Sequence, residues 1–391
     1  MQQRHGTMRA GCRQRSADWQ VFKDRNKMVV ANPQPARKFA EYFSHPNVTV
    51  TIVAGDSVSP LAPRTPREVL IVRDAWYPRD PEEAVAGFKR ANRNVSDRIY
   101  FLSNTEELHA VRLRHGLNSH YVNIGCFVDE SVFCPDPRVA KQYDAVLNAR
   151  FSMTASGTEF KRHYLTTKIE RLALLDPVFW STEREYRDKY ARRGNCKFIN
   201  SARLPPRRVV DILRRAHVGL ALSGLEGVCR ASSEYLLTGL PVVSTDSVGG
   251  RDVWYDDYNS IIVPATEEGV LSAVETLKRA GRDPYRIRND YLARAATFRE
   301  HFRDDVLGSI CKKHEVDWDL DLIMRTHPFR WWPYPSLMSR ARWTPQSLRG
   351  AVRDFLKQRV IRPLEHRRRG AAKWLFPSTS PGDRRLRRPQ R

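Results

Sequence analysis

Glu226 and Glu234 stand with seven residues between them in LEGVCRASSEYLLTGLPVVSTDSVGG, the stretch from Leu225 to Gly250. Ser223 ends an apolar strand pattern, Glu226-Gly227 turns the chain, and a helix is expected to begin near Val228. Glu226 would then lie at the mouth of a cleft, with Glu234 two turns further on. A helix N-terminus offers unpaired N–H groups and a partial positive charge, which suit a phosphate. Gly227 has no side chain to block that approach. A carboxylate accepts from both vicinal hydroxyls of a ribose, or from the hydroxyls of a sugar. Glu226 near a reacting centre, Glu234 on ribose, and the backbone at Gly227 and Val228 on phosphate would together hold a nucleotide sugar. The plain alternatives are an exposed helix face for Glu234, a helix stop at Gly239 and a simple turn at Gly249-Gly250.

The elements that must position these groups alternate. MVVANP (28–33) reads as a strand, PARKFAEYFS (35–44) as a helix and VTVTIVAG (48–55) as a strand. EVLIVRDA and IYFLSN are further strands, with EEAVAGFKRA as a helix between them. TEELHAVRLRHG follows as a helix, capped by Asn104 or Thr105 and ended by Gly116. Turn formers in NIGCFVDESVFCPDP (123–137) mark a crossing into a second unit with the same alternation. There YDAVLNAR is a strand, KRHYLTTKIERLALL (161–175) a helix, CKFINS a strand, RRVVDILRRA a helix and HVGLALS a strand. PVVSTD and SIIVPA are strands, and EEGVLSAVETLKRA is a helix. The pattern predicts an α/β chain of two doubly wound, Rossmann-like domains facing a central cleft. The expected divisions are a basic extension over 1–26, a first domain over 27–135, a second over 136–302 and a helical, basic extension over 303–391. In such sheets ligands bind at the carboxyl ends of strands, which puts the ends of VLNAR, LALS and VVSTD on one rim.

Charge does not define the body of the molecule. Residues 325–391 hold 18 Lys/Arg against three acids, so +15 of the net +23 belongs to the tail and +8 to the other 324 residues. Within it, Leu348, Val352, Phe355, Leu356 and Val360 recur at helical spacing beside Arg349, Arg353 and Lys357. Two readings stay open: an interfacial helix on an anionic leaflet, or a segment packed back on the first domain. No apolar run reaches the roughly 20 residues of a membrane span, and no apolar stretch follows the basic N-terminus as a signal peptide requires. The six cysteines form no Cys-x-x-Cys pair, so neither a zinc site nor a disulfide framework is indicated. A cytoplasmic location is expected, with peripheral attachment to the inner face of the membrane under the first of the two readings of the tail.

The quoted stretch resembles the C-terminal signature of retaining GT-B glycosyltransferases similar to glycosyltransferase family 4: Glu-Gly, six residues, Glu, then Gly-Leu-Pro-Val-Val and a Gly-Gly turn. RRAHVGLALSGLEG is similar to the family's helix and strand before the first Glu, NIGCFVDESVFCP to its interdomain crossing, and YDDYNSIIVP to its segment after the glycine turn. About 180 residues, from Asn123 to roughly Phe302, share the likeness. The resemblance implies that Glu226 contacts the transferred sugar, that Glu234 binds nucleotide ribose, and that Gly249 and Gly250 let the backbone approach the donor. It further implies an Arg at the end of the first strand, here Arg150, and a nearby Lys, here Lys161, that neutralise the diphosphate; Arg162 is an alternative to Lys161. These cations replace the metal used by other glycosyltransferases, so no metal and no cofactor are expected, and the nucleoside-diphosphate sugar is a substrate. The acceptor would be a glycan or lipid-linked. The first half lacks the family's glycine-rich loop. His109, His115 and His120 are the candidates for an acceptor-side group, although a lone helical His ordinarily packs or faces solvent. The paired acids of YDDYN and DWDLD lack the strand-end placement of a metal-binding Asp-x-Asp.

Two other readings stand beside this one. A non-enzymatic polyanion- or membrane-binding protein on the same scaffold fits the tail charge, although no nucleic-acid recognition motif is present and no specific nucleic acid is expected. A nucleotide-sugar epimerase shares the two-domain architecture without this pattern of glutamates.

Overall fold

The first sheet holds β1 (Lys38–Ser44), β2 (Thr49–Gly55), β3 (Glu68–Asp74), β4 (Ile99–Ser103) and β5 (Asn118–Tyr121), hydrogen-bonded in that order. The second has the order β11-β10-β9-β6-β7-β8, from β6 (Tyr143–Asn148), β7 (Leu172–Leu175), β8 (Cys196–Ile199), β9 (Ala216–Ala221), β10 (Val242–Thr245) and β11 (Ser260–Val263). In this computed structural model residues 38–55, 61, 63, 65–74, 77–78, 80–151, 161–176, 184–202 and 204–326 are described. The strand expected over 28–33, the basic extension over 1–26 and the tail helix from Ser347 lie outside them.

Every pairing is parallel except β1 with β2. A helix was the expectation over 35–44, and the structure corrects it to a strand from Lys38. His45 and Val48 exchange backbone bonds of 2.8 and 3.2 Å across Pro46-Asn47. That tight turn folds β1 back onto the edge of β2, where pairing outweighs the local helical spacing. The helix expected over 161–175 is likewise a 3-10 turn (His163–Thr166) followed by β7. Asn195 Nδ2 donates to the carbonyls of Thr166, Thr167 and Ile169, fixing the turn. The apolar Leu172–Leu175 is wholly buried between β6 and β8. A short apolar run has no periodicity to separate a buried strand from a helix.

The helices form where caps and apolar faces agree. Asp80 accepts from Glu83 N at 3.0 Å to start α1 (Pro81–Ala91), with Pro81 in the first turn, where its missing N–H costs nothing. Thr105 accepts from Leu108 N at 3.1 Å to start α2 (Glu106–Arg114). Thr105→Ala should cost about 1 kcal/mol, read as a lower urea midpoint at unchanged slope; an unmoved midpoint would mean that the cap contributes nothing. Beneath α2, fully buried Arg112 holds Asp74 through two bonds of 2.7 Å and lies over the Phe101 ring at 4.2 Å.

In the second half, α3 (Arg184–Ala191), α4 (Pro206–Arg214), α5 (Arg230–Leu237) and α6 (Glu267–Ala280) accompany the sheet. The long α7 (Pro284–His301) then crosses back to the 3-10 turn at Ile124–Phe127. Tyr291 Oη donates to Gly125 O at 2.6 Å and Arg299 Nε to Cys126 O at 2.8 Å. A π-helical turn at Phe302–Leu307, α8 (Gly308–Lys313) and α9 (Leu320–Thr326) follow. Phe302 packs edge-on to Tyr42 and Phe127, and Tyr42 Oη donates to Met324 Sδ at 3.8 Å. The end of the described chain thus covers the first sheet. Among the described residues no helix is long and apolar enough to cross a membrane.

Candidate functional site

β6 runs between β7 and β9, so its carboxyl end lies at the centre of the second sheet's rim. Asn148, the last residue of β6, donates its backbone N–H to Tyr235 Oη at 2.6 Å and its side-chain amide to Glu234 Oε2 at 2.7 Å. Glu234 Oε1 lies 2.7 Å from Arg230 Nε, one helical turn earlier on α5. Burial pushes the Glu234 carboxyl above its ordinary range, and the Arg230 charge and the two hydrogen bonds hold it back.

Glu226 sits in the turn between β9 and α5. Its N–H donates to Val248 O at 2.9 Å, and Leu225 and Val248 form a parallel bridge. Ser223 Oγ donates to Glu226 Oε1 at 2.5 Å, and Lys161 Nζ is ion-paired with the same oxygen. Behind the turn lies Arg251, fully buried, whose guanidinium donates to the carbonyls of Ala221 and Ser223 at 2.9 Å each and of Thr245. These carbonyls end β9 and β10, so one cation satisfies acceptors that the parallel strands leave unpaired. Gly250 N donates to Gly227 O at 3.0 Å, while Asn123 Nδ2 donates to Gly250 O at 2.7 Å and to Asn104 O at 3.2 Å. The glycine turn is thereby tied to the carboxyl end of β4. Leu225 joins the first sheet's apolar cluster with Val72 and Phe101.

A cavity of about 350 Å³ opens at this rim. Arg150, Lys161, Glu226, Val228 and Glu234, all singled out in the sequence, contribute to its wall. Arg150 is exposed there. Gly227, Gly249, Gly250 and Arg162 are not among its lining residues. The two paired glycines and Gly227 build the turn that carries Glu226. Arg162, in a left-handed conformation at φ 52°, donates to Leu222 O at 3.4 Å and Thr245 Oγ1 at 3.2 Å, bracing the ends of β9 and β10. Burial, reinforced by the Arg251 charge, lowers the Arg162 pKa. The helix expected near Val228 begins at Arg230, which leaves Val228 and the extended Cys229 in the cavity wall ahead of it.

Sequence reasoning missed several groups at this site. Arg230 lines the cavity, and its position four residues before Glu234 was a readable helical pair. Asn148, Ser223, Asp176 and Asn200 also line it. Asn200 holds the end of β7, accepting from Asp176 N at 2.8 Å and donating to Asp176 O at 2.9 Å. Leu175, Leu204 and Val209 add an apolar wall on that side. None of the three histidines reaches the cavity. His109 Nδ1 is 3.1 Å from Ser119 Oγ, His115 pairs with Glu82, and His120 stacks on Tyr100. Asp256 of YDDYN accepts from Tyr258 N and Asn259 N as a turn former. Among the described residues no group of three or more His, Cys, Asp or Glu is placed to hold a metal ion.

Chemically, the cavity offers three cations, Arg150, Lys161 and Arg230, and three carboxylates, Asp176, Glu226 and Glu234, beside an apolar wall. That combination suits a ligand with anionic, hydroxylated and flat apolar parts. No protein-family model and no curated protein matches the chain. Solved structures similar to it include HepE from Anabaena in complex with UDP, at 14% identity and a TM-score of 0.45 over 62% of this chain and 73% of that one. TarM is similar at 14% identity and a TM-score of 0.47 over 65% of this chain, which spans about half of TarM's own length (53%). AviGT4, a glycosyltransferase involved in avilamycin A biosynthesis, is similar at 20% identity and a TM-score of 0.44 over 66% of this chain and 74% of that one.

Proposed function

We propose that the chain is a retaining glycosyltransferase of GT-B architecture, which moves a sugar from a nucleoside-diphosphate donor to a glycan or lipid-linked acceptor. The observation that carries this reading is the convergence of Arg150, Lys161 and the Glu226–Glu234 turn and helix, three stretches of chain, on one cavity at the carboxyl ends of a parallel sheet. The domains divide at the 123–137 crossing, and the basic tail holds the enzyme at an anionic leaflet on the cytoplasmic side.

In this reading the donor diphosphate lies against Arg150 and Lys161, whose charge stabilises the leaving group as its negative charge grows. That is the part a metal takes in other glycosyltransferases, and the reaction here is metal-independent. Glu226, oriented by the Ser223 hydroxyl, accepts from the hydroxyls of the transferred sugar. Glu234, held by Asn148 and Arg230, accepts from the ribose. The apolar wall at Leu175, Leu204 and Val209 suits the base. The acceptor hydroxyl attacks from the face that the diphosphate leaves, so configuration is retained.

A melting screen with UDP, GDP, ADP and dTDP tests the donor site. One of the four is expected to raise the melting temperature; at a hundredfold excess over Kd it stabilises the native state by about 2.7 kcal/mol. Radiolabelled sugars of that nucleotide should then be hydrolysed or transferred. If no nucleotide moves the melt and no nucleotide sugar is consumed, the enzyme reading is wrong and a polyanion-binding role replaces it.

A further inference from the structure

We propose that Lys161 makes recognition of the sugar conditional on the diphosphate, because Glu226 and the diphosphate compete for the same ammonium group. The inference rests on the glycosyltransferase reading and concerns the order in which the parts of the donor are gripped. Lys161 Nζ is the ion-pair partner of Glu226 Oε1, and both side chains are largely buried, at 16% and 10% exposure. Glu226 cannot give its full acceptor capacity to sugar hydroxyls while that ammonium sits on it. Lys161 has less charge to give a leaving diphosphate while it is paired with Glu226.

Glu226 is anchored in the turn that carries it. Glu226 is held from several sides: its N–H on Val248 O, the Ser223 hydroxyl on its carboxylate, and the buried Arg251 guanidinium on the carbonyls of Ala221 and Ser223 that frame the turn. Lysine carries a point charge on a flexible four-carbon stem, with three donors that can be redirected. An arriving diphosphate therefore draws the ammonium across the cavity and leaves the carboxylate where it is. The released carboxylate, still oriented by Ser223, then meets the sugar attached to that diphosphate. A free sugar brings no anion to compete for Lys161 and so meets a carboxylate already neutralised.

Glu234 does not behave this way. Its partners Asn148 and Arg230 engage separate oxygens, and the Arg230 pair is made within one helix across a single turn. That carboxylate remains oriented throughout and has lone pairs left for a ribose. Lys161 is thus a specificity-determining residue, one that selects a sugar carried on a diphosphate over the sugar alone.

The consequence is unusual for a site carboxylate: its charge opposes nucleotide binding through one named lysine. Binding of UDP, GDP, ADP and dTDP is measured calorimetrically on the wild-type chain, Glu226→Gln, Lys161→Met and the double variant, each checked for an unperturbed melt. For the nucleotide that binds, Glu226→Gln should bind about tenfold tighter than wild type, a change of about 1.4 kcal/mol. Gln keeps the shape and the Ser223 bond, so the gain reports the released ammonium. In the Lys161→Met background the same Glu226→Gln change should alter affinity by less than about twofold. A gain that persists with Lys161 removed would show a general charge effect and overturn the exchange. Equal affinities for wild type and Glu226→Gln would overturn it as well, while leaving the donor site intact. Binding of none of the four by any variant overturns the glycosyltransferase reading, and the exchange with it.

Discussion

The Glu226→Gln chain is expected to fold and to bind nucleoside diphosphate, yet to transfer sugar about 10²- to 10³-fold more slowly than wild type, with the loss in kcat. The substitution removes one charge and little else. Ser223 Oγ can still donate to the remaining amide oxygen, and the backbone bond from residue 226 to Val248 O is untouched. In the proposed reading, what disappears is a preoriented negative charge beside the carbon from which the diphosphate departs, where positive character develops as the bond breaks. Such charge is worth far more in a cavity walled by Leu175, Leu204 and Val209 than in water, because the protein dipoles around it are already arranged. Steady-state kinetics with the nucleotide sugar identified by the melting screen check the outcome. An unchanged kcat with a raised KM would reduce Glu226 to a binding group, and an unchanged kcat/KM would remove it from the site. Slower transfer combined with tighter product binding is the signature that separates this arrangement from a simple loss of substrate affinity.

How much of this was legible before the fold was known depends on how local each signal was. The pairing of Glu226 with Glu234 is carried within one turn and one helix, so the spacing taken with the Gly-Leu-Pro-Val-Val and Gly-Gly that follow singled out both, and the i,i+4 position of Arg230 could have been read the same way. The alternation of strands and helices announced two parallel sheets because βαβ units are themselves local. Arg150 and Lys161 are another matter. They share a cavity with Glu226 because β9 pairs with β6, two strands separated in sequence by β7 and β8, and no periodicity encodes that neighbour relation. Arg251 was hidden for the same reason: its ligands are backbone carbonyls of residues 221, 223 and 245, which have no side-chain signature. The two misread elements share one cause. Over 35–44 and 161–175 the spacing of apolar residues admits a helix, but an open strand edge at β2 and a gap between β6 and β8 supplied stronger partners.

Gly249→Ala should be among the most damaging single-carbon additions in the molecule. Gly249 has φ +120°, a backbone conformation that side-chain-bearing residues rarely adopt, and a Cβ there would lie 1.8 Å from the carbonyl oxygen of Glu226. Neither atom can yield cheaply. Glu226 is held through its N–H on Val248 O, beside the bridge between Leu225 and Val248, and the next residue on, Gly250, is bonded on both sides, to Gly227 O and from Asn123. Relief of the clash must pull the glycine turn away from Glu226, breaking those bonds and moving the carboxylate out of register with Lys161. The expected cost is about 3–5 kcal/mol, seen as a fall in melting temperature of roughly 10 °C or more. Gly281 supplies the control, because it too has positive φ, +54°, yet nothing lies within 4 Å of its would-be Cβ. Gly281→Ala therefore isolates the conformational penalty, about 1–2 kcal/mol. The difference between the two variants measures the contact with the Glu226 carbonyl together with the greater backbone strain of φ +120° over φ +54°. If both lower the melt equally, the glycine turn is not what holds Glu226, and the placement of the carboxylate must come from Ser223 and Arg251 alone.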